Sequence, residues 1–378
     1  TEKSNDTFED YGLFTQVEQL NKTALKAHGL DKSGHLYKVN SFDFHRYEDT
    51  IKLADDPDYN QANFEGMLEI KGDSDHTKLI EMLDALNDES QKIDDVLDTY
   101  FDTENLVYWL AFQILTGNCD TQNRNCYLYS PLNSNTWYFL DWDNDGMLRK
   151  LELSLKGFSD YASWERGVSN YWGNVLFNRA LRSKAFRNEL DRAVKDLRSY
   201  MTETRLAKMI KHYREVTESL VFASPDIDNL PVTKDKYEQI AAAIPSEIEE
   251  NYKSFRESYK KPMPFYIGVP QIDNGKLRMN WDASYDFKAR DIRYTVELAR
   301  DYAIKDVLFK AEDVLLPEVT CDAPDSGQYF VRVRATNSDD YTQDAFDYYV
   351  THDGKQYGMK CFYVQDGGKV VEDTYEEG

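Results

Sequence analysis

The sequence predicts an α+β chain in two parts, a helix-rich region interrupted by one β-hairpin and then an all-β immunoglobulin-like sandwich. Three observations carry this expectation. Apolar residues recur at helical spacing across residues 76–260. A strand–turn–strand pattern breaks that run soon after Gly117. Beyond Pro262 and Pro264 the pattern changes to alternating strands with turns between them. At 378 residues the chain fits two or three domains, and the expected boundaries are 1–261, 262–352, and a further hairpin with an acidic tail over 353–378.

In order along the chain, Tyr11 to Leu20 reads as an apolar strand. The stretch Gly34 to Val39 reads as a strand entered through a glycine turn, and Met67 to Lys71 as another. Leu79, Ile80, Leu83 and Leu86 mark a first helix. A second begins near Asp88, with Gln91 completing a capping box. A third runs from about Thr103 to Leu115 and stops at Gly117, a residue that accepts the left-handed C-cap conformation. Tyr127-Leu128-Tyr129 and Trp137 to Leu140 form the hairpin. Helices resume after Ser169. One carries Leu206, Met209, Ile210, Tyr213 and Leu220, and the last spans Ser246 to Tyr259. The sandwich strands are 277–281, 293–298 and 328–335, with Trp281 in the core, followed by a hairpin around Asp366-Gly367-Gly368.

Composition narrows function. With 45 Lys and Arg against 68 Asp and Glu, the formal charge is −23, which repels nucleic acid backbones and anionic membranes. Nucleic acid is therefore excluded as a general partner. No apolar run is long enough to span a bilayer. The start, Thr1 to Asp6, lacks a methionine, a basic stretch and an apolar segment, so the chain is expected to begin inside a longer gene product. Four cysteines are too few for a disulfide scaffold. Cys321 and Cys361 form a disulfide on one reading and are free thiols on the other. No histidine pair has metal-ligand spacing.

The densest polar constellation straddles the hairpin. Asp120 and Asn125 precede its first strand, and Asp141-Trp142-Asp143-Asn144-Asp145-Gly146 follows its second. An antiparallel hairpin brings those ends together, and oxygen ligands converging there suit a hard cation, Mg²⁺ or Ca²⁺. Asp-x4-Asn, hairpin, Asp is also the working order of a protein kinase, where the first Asp orients the acceptor hydroxyl and the other two residues hold Mg²⁺ on the nucleotide. Two readings compete. Asp141, Asp143, Asp145, Gly146 and Glu152 satisfy an EF-hand loop, although the flank is a strand rather than a helix. The blander alternative is a solvated acidic turn whose carboxylates bond local backbone.

Taken together, Tyr11-Gly12-Leu13-Phe14-x3-Glu18, Leu36-Tyr37-Lys38, Gly117-Asn118-x-Asp120-x4-Asn125-x-Tyr127-Leu128-Tyr129 and Trp137-Tyr138-Phe139-x2-Trp142-Asp143-x-Asp145 resemble the spore coat protein H (CotH) family of atypical secreted kinase-like proteins. The resemblance covers roughly residues 8–260. It implies an extracellular or cell-surface Ser/Thr kinase-like fold that uses ATP and Mg²⁺ on surface or coat proteins. By position Asp120 resembles the catalytic residue, with Asn125 and Asp143 as metal ligands and Asp145 assisting. Residues 11–20 resemble the strand leading to the adenine-contacting hinge, which puts Glu18 near the base. On that alignment the phosphate-contacting lysine of the N-lobe lies before residue 1, so part of that lobe is expected to be missing, and Lys38 is the candidate to supply phosphate charge. The C-terminal part resembles a fibronectin type III domain, a docking or spacing module whose exposed tyrosines suit carbohydrate contact. The alternative function is a non-catalytic surface scaffold or adhesion protein with a Ca²⁺-binding acidic loop.

Overall fold

The computed structural model describes residues 10–155, 162–352 and 354–373. They fall into two units, Thr1–Ser159 with Asn174–Tyr252, and Asp160–Gly173 with Lys253–Gly378.

The first unit is built on a four-stranded antiparallel sheet in the order β2-β1-β3-β4, with β1 His35–Val39, β2 Leu68–Ile70, β3 Cys126–Ser130 and β4 Tyr138–Asp141. Lys38 pairs with Tyr127 on one side and Glu69 on the other, and Cys126 pairs with Asp141. Because side chains alternate across a strand, Tyr37, Leu128 and Phe139 share one buried face. Leu36, Tyr127 and Tyr129 lie on the other, where they pack with Leu25, Leu20, Leu140 and Trp142.

Helix Thr103–Thr116 lies behind the sheet. Asp102 starts it by accepting from the Asn105 amide at 2.9 Å, and Gly117 ends it in the left-handed region at φ 67°. Trp109 stacks on Phe177 from helix Val175–Arg182. The turn of the β3–β4 hairpin is held by Lys78, whose ammonium donates to the carbonyls of Pro131 at 2.7 Å and Ser134 at 2.6 Å.

Local details depart from the sequence reading. Residues 10–20 form no strand, and Tyr11, Phe14 and Val17 are exposed, so the segment lacks a pairing partner among the described residues. The helix expected from Asp88 starts at Ile93, because Asp88 closes a tight turn onto Ser90 and Gln91. Helix Glu203–Val221 buries none of its residues. The last helix is longer than expected, Lys234–Ser258, and carries Pro245 within it.

The second unit contains strands β5 Gln271–Asp273, β6 Lys276–Asn280, β7 Ile292–Ala299, β8 Val307–Val314, β9 Glu318–Asp322, β10 Gly327–Asn337, β11 Thr342–Asp344, β12 Tyr348–Thr351, β13 Gly354–Tyr357, β14 Met359–Val364 and β15 Val370–Glu372. One sheet runs β15-β14-β10-β7-β8 with β11 on β10, a second runs β5-β6-β9, and β12 pairs with β13. Leu277, Met279 and Trp281 meet Val296, Val331 and Phe362 in a single core, as in a sandwich. The segment 162–173 joins this unit through Trp164, whose indole donates to Ala345 O at 3.1 Å, and through Trp172 stacked on Tyr285. None of the four cysteines forms a disulfide. The Cys321–Cys361 disulfide does not form, since Cys321 faces the sandwich core and Cys361 packs in a separate cluster with Phe330 and Met359.

Candidate active site

The helix Thr103–Thr116 delivers the loop 118–125, and β4 delivers the loop 142–148. The two loops meet. Leu148 N donates to Thr116 O at 2.8 Å. A methyl group placed on Gly146 would lie 2.7 Å from Asn118 Oδ1 and 3.7 Å from Asp120 Cβ, so a side chain there would have to displace the Asn118 amide for the second loop to close against the first.

Within the first loop, Asn125 Nδ2 donates to Asp120 Oδ2 at 2.9 Å and to Asp120 O at 3.1 Å. Arg124 lies beside the same carboxylate, 3.5 Å from Oδ1. The loop is pinned from below. Asn174, the cap of helix Val175–Arg182, donates to Gln122 O at 2.8 Å, and Phe42 N donates to Asn123 O at 2.7 Å. Asn125 at φ 59°, Asp143 at φ 56° and Leu148 at φ 53° all adopt the left-handed region. Asn and Asp tolerate it, whereas for Leu148 it is strain that the surrounding contacts must hold, a condition that concentrates at functional loops.

A buried polar relay links the loops. Gln113 Nε2 donates to Asp141 Oδ1 at 2.8 Å, and Asn118 Nδ2 donates to Gln113 Oε1 at 3.0 Å and to Asn144 Oδ1 at 3.4 Å. Protein packed around Asp141 pushes its carboxyl above the usual range, and the Gln113 amide opposes that rise. Burial pushes the neighbouring Cys126 thiol far up, which makes it an inert thiol at neutral pH.

Asp143 and Asp145 are exposed and hydrogen-bond to nothing among the described residues. Lys38 holds its ammonium 5.6 Å over the Trp142 ring, one residue from Asp143, and has no carboxylate partner among the described residues. Trp142 packs edge-on to Tyr127. Glu18 lies at the surface, its Oε2 2.8 Å from His28 Nε2.

The donor chemistry suits a hard cation. Asn125 uses its amide nitrogen on Asp120 and keeps its oxygen, and Asp143 offers an unshared carboxylate. Among the described residues no three His, Cys, Asp or Glu side chains converge. The EF-hand frame is absent, because strand β4 rather than a helix enters the loop, Asp141 is tied to Gln113, and Glu152 bonds Arg149 at 3.2 Å.

A family model described as CotH kinase protein matches residues 3–255. The chain belongs to the CotH kinase family. A search of curated proteins finds no match. The CotH match contains the helix, both loops and the hairpin that form the site. No helix among the described residues is long and apolar enough to cross a membrane.

Sequence reasoning missed three contributors. Gln113 is a polar residue among Leu110, Ala111, Ile114 and Leu115, and that break in an apolar run was its signal. Asn118 was noticed only as part of a motif, although it is buried and joins both loops. Arg124 carried no signal beyond its place between Asp120 and Asn125.

Proposed function

We propose that the CotH unit transfers a phosphoryl group from Mg-ATP to hydroxyl groups of surface or coat proteins, outside the cytoplasm. The observation that carries this reading is the closure of loop 142–148 onto loop 118–125, with Asp120 hydrogen-bonded to Asn125 and the Asp143 carboxylate unshared nearby. Asp120 orients the acceptor hydroxyl and accepts its proton. Its hydrogen bond to Asn125 aims the carboxylate. Asn125 and Asp143 would hold Mg²⁺, with Asp145 assisting from the adjacent turn. Bound there, the ion would neutralise phosphate charge. Two oxygen donors fit an ion that keeps its waters and shares substrate phosphates, as Mg²⁺ does, better than one that needs six to eight protein oxygens, as Ca²⁺ does.

Arg124 and Lys38 would add positive charge toward the phosphates. Lys38 is held at the sheet by Trp142, and Arg124 by Asp120. Glu18 is assigned to the base end, two residues before Leu20, which packs into the same cluster as Trp142. Positioning supplies the rate, which explains why so much of the loop is pinned by backbone hydrogen bonds. In the second unit, exposed Tyr348 and Tyr363 are the candidates for carbohydrate contact.

The test is a thermal-shift titration with ATP and Mg²⁺ together with phosphate incorporation into hydroxyl-bearing proteins. Nucleotide stabilisation that needs Mg²⁺ and disappears in Asp143→Ala supports the reading. Stabilisation by Ca²⁺ alone, with no phosphate transfer, refutes it and favours a scaffold.

A further inference from the structure

Gln113 and Asn118 are fully buried, and each carries an amide with a donating end and an accepting end of nearly the same shape. Such a group can be turned end for end, so its neighbours decide which end points where. Here the direction starts at Asp141. An ionised carboxylate only accepts, so Gln113 turns its nitrogen to Asp141 Oδ1, at 2.8 Å, and its oxygen to Asn118. Asn118 then turns its nitrogen to Gln113 Oε1, at 3.0 Å, and its oxygen to the Asp120 backbone N–H, which donates to it at 3.4 Å. The same Asn118 nitrogen reaches Asn144 Oδ1 at 3.4 Å, so one amide touches the Asp120 loop and the Asp143 loop. The Asn118 backbone N–H also donates to Gln113 O, at 3.0 Å, which keeps the side chain in place.

We propose, on the phosphoryl-transfer reading above, that Asn118 and Asp141 are positioning residues for Asp120, coupled through Gln113. The carboxylate of Asp141 fixes the direction of both amides, and that direction presents an acceptor to the Asp120 N–H. An Asn118 amide turned the other way would set a donor against that N–H and push the Asp120 loop out of register. Residues that share a hydrogen-bond partner respond non-additively to substitution, so the coupling is measurable.

The test exchanges the carboxylate and the amide. Asn118→Asp puts carboxylates at both ends of Gln113, whose amide has one donating end, so one of them loses its donor. Adding Asp141→Asn supplies a donor to Gln113 Oε1. Gln113 then turns over, its nitrogen serves the carboxylate at position 118, and that carboxylate still accepts from the Asp120 N–H. At saturating Mg-ATP, kcat for phosphate transfer should fall about a hundredfold in Asn118→Asp. It should recover at least about tenfold in Asn118→Asp with Asp141→Asn. Asn118→Asp with Asp145→Asn, which removes an exposed carboxylate outside the chain of amides, should not recover. Hydrogen exchange of the Asp120 amide should rise and return in the same pattern, a readout that needs no activity. A double exchange that recovers nothing, or an equal recovery with Asp145→Asn, overturns the proposal. So does an Asn118→Asp chain with a lower urea midpoint but wild-type kcat and Asp120 exchange, since Asn118 would then only support the fold. If Asn118→Asp alone does not fold, a folded double exchange is itself the recovery, and an unfolded one overturns the coupling. If the wild-type chain transfers no phosphate, the functional reading falls by itself, and the Asp120 exchange pattern still decides whether position 118 answers to position 141.

Discussion

Each unit contains a buried polar network, and the two end differently. In the second unit Asp286 is almost fully buried and accepts from Arg290 Nε at 3.1 Å and from Asn337 Nδ2 at 2.9 Å, while Arg290 also reaches Asp339 and Lys260 O. Every charge has its partner. In the CotH unit Gln113 and Asn118 form an equally buried relay, but it opens into loops that end in the unshared carboxylates of Asp143 and Asp145. A closed network fastens a fold. An open one holds polar groups ready for something that is not protein.

Substitutions should separate the two. The largest stability effect is expected at Asp286→Ala, which strands a buried arginine and should cost about 3–5 kcal/mol, read as a lower urea midpoint for the second unit. Acidity should show the same dependence. Burial pushes the Asp286 carboxyl up, but hydrogen bonds from Arg290, Asn337 and backbone amides outweigh it and hold the group below its ordinary value. Its stabilisation is therefore complete above the unfolded carboxylate pKa and is lost as pH falls through the folded one. That acid-induced loss should be absent in Asp286→Asn.

At the open network the expectation reverses. Asp143→Ala should leave the unfolding free energy from urea titration within about 0.5 kcal/mol of wild type, as for a free surface residue. The same change should lower Mg-dependent phosphate transfer by about a hundredfold to a thousandfold. If Asp143→Ala unfolds the unit instead, the distinction between closed and open networks fails.

A third network sharpens the rule. His76 is fully buried, with Tyr37 OH 2.9 Å from Nδ1 and Tyr59 OH 3.1 Å from Nε2. Burial lowers its pKa from 6.5 to about 4. The folded state binds the proton less readily than the unfolded chain, so stability is complete above pH 6.5 and falls as pH drops from there toward 4. The loss should be at most about 3 kcal/mol in the first unit and should flatten in His76→Gln. A smaller loss than at Asp286 is expected at Gln113→Ala. Leaving Asn118 and Asp141 without their shared partner should cost about 1–3 kcal/mol, measured by urea unfolding, and should slow phosphate transfer more than exposed Asp145→Ala does.

Much of this architecture was legible before any coordinates. Gly117 announced the end of its helix, two short apolar runs around a polar turn marked the hairpin, and Trp281 declared itself as core. These are local signals, set by backbone conformation and by side chains turning inward every second or every third to fourth residue. Residues 10–20 show where the logic stopped. Their apolar pattern suits a strand, but a strand needs a neighbour to pair with, and no residue within the segment encodes that. Asp88 shows a second failure, since one carboxylate can cap a helix or close a turn, and only the following residues' packing decides which.

The sequence by itself determined the helix that ends at Gly117, the hairpin after it, and hence that Asp120, Asn125 and Asp143 approach one rim, because an antiparallel hairpin returns its ends to the same place. Tertiary structure alone decided that β1 would pair with β3 and carry Lys38 to Trp142, that Gln113 and Asn118 would join the two loops, and that segment 162–173 would pack with the second unit. Those outcomes rest on contacts between residues tens to hundreds of positions apart, whose partners are chosen by burial and hydrogen-bond satisfaction over the whole unit.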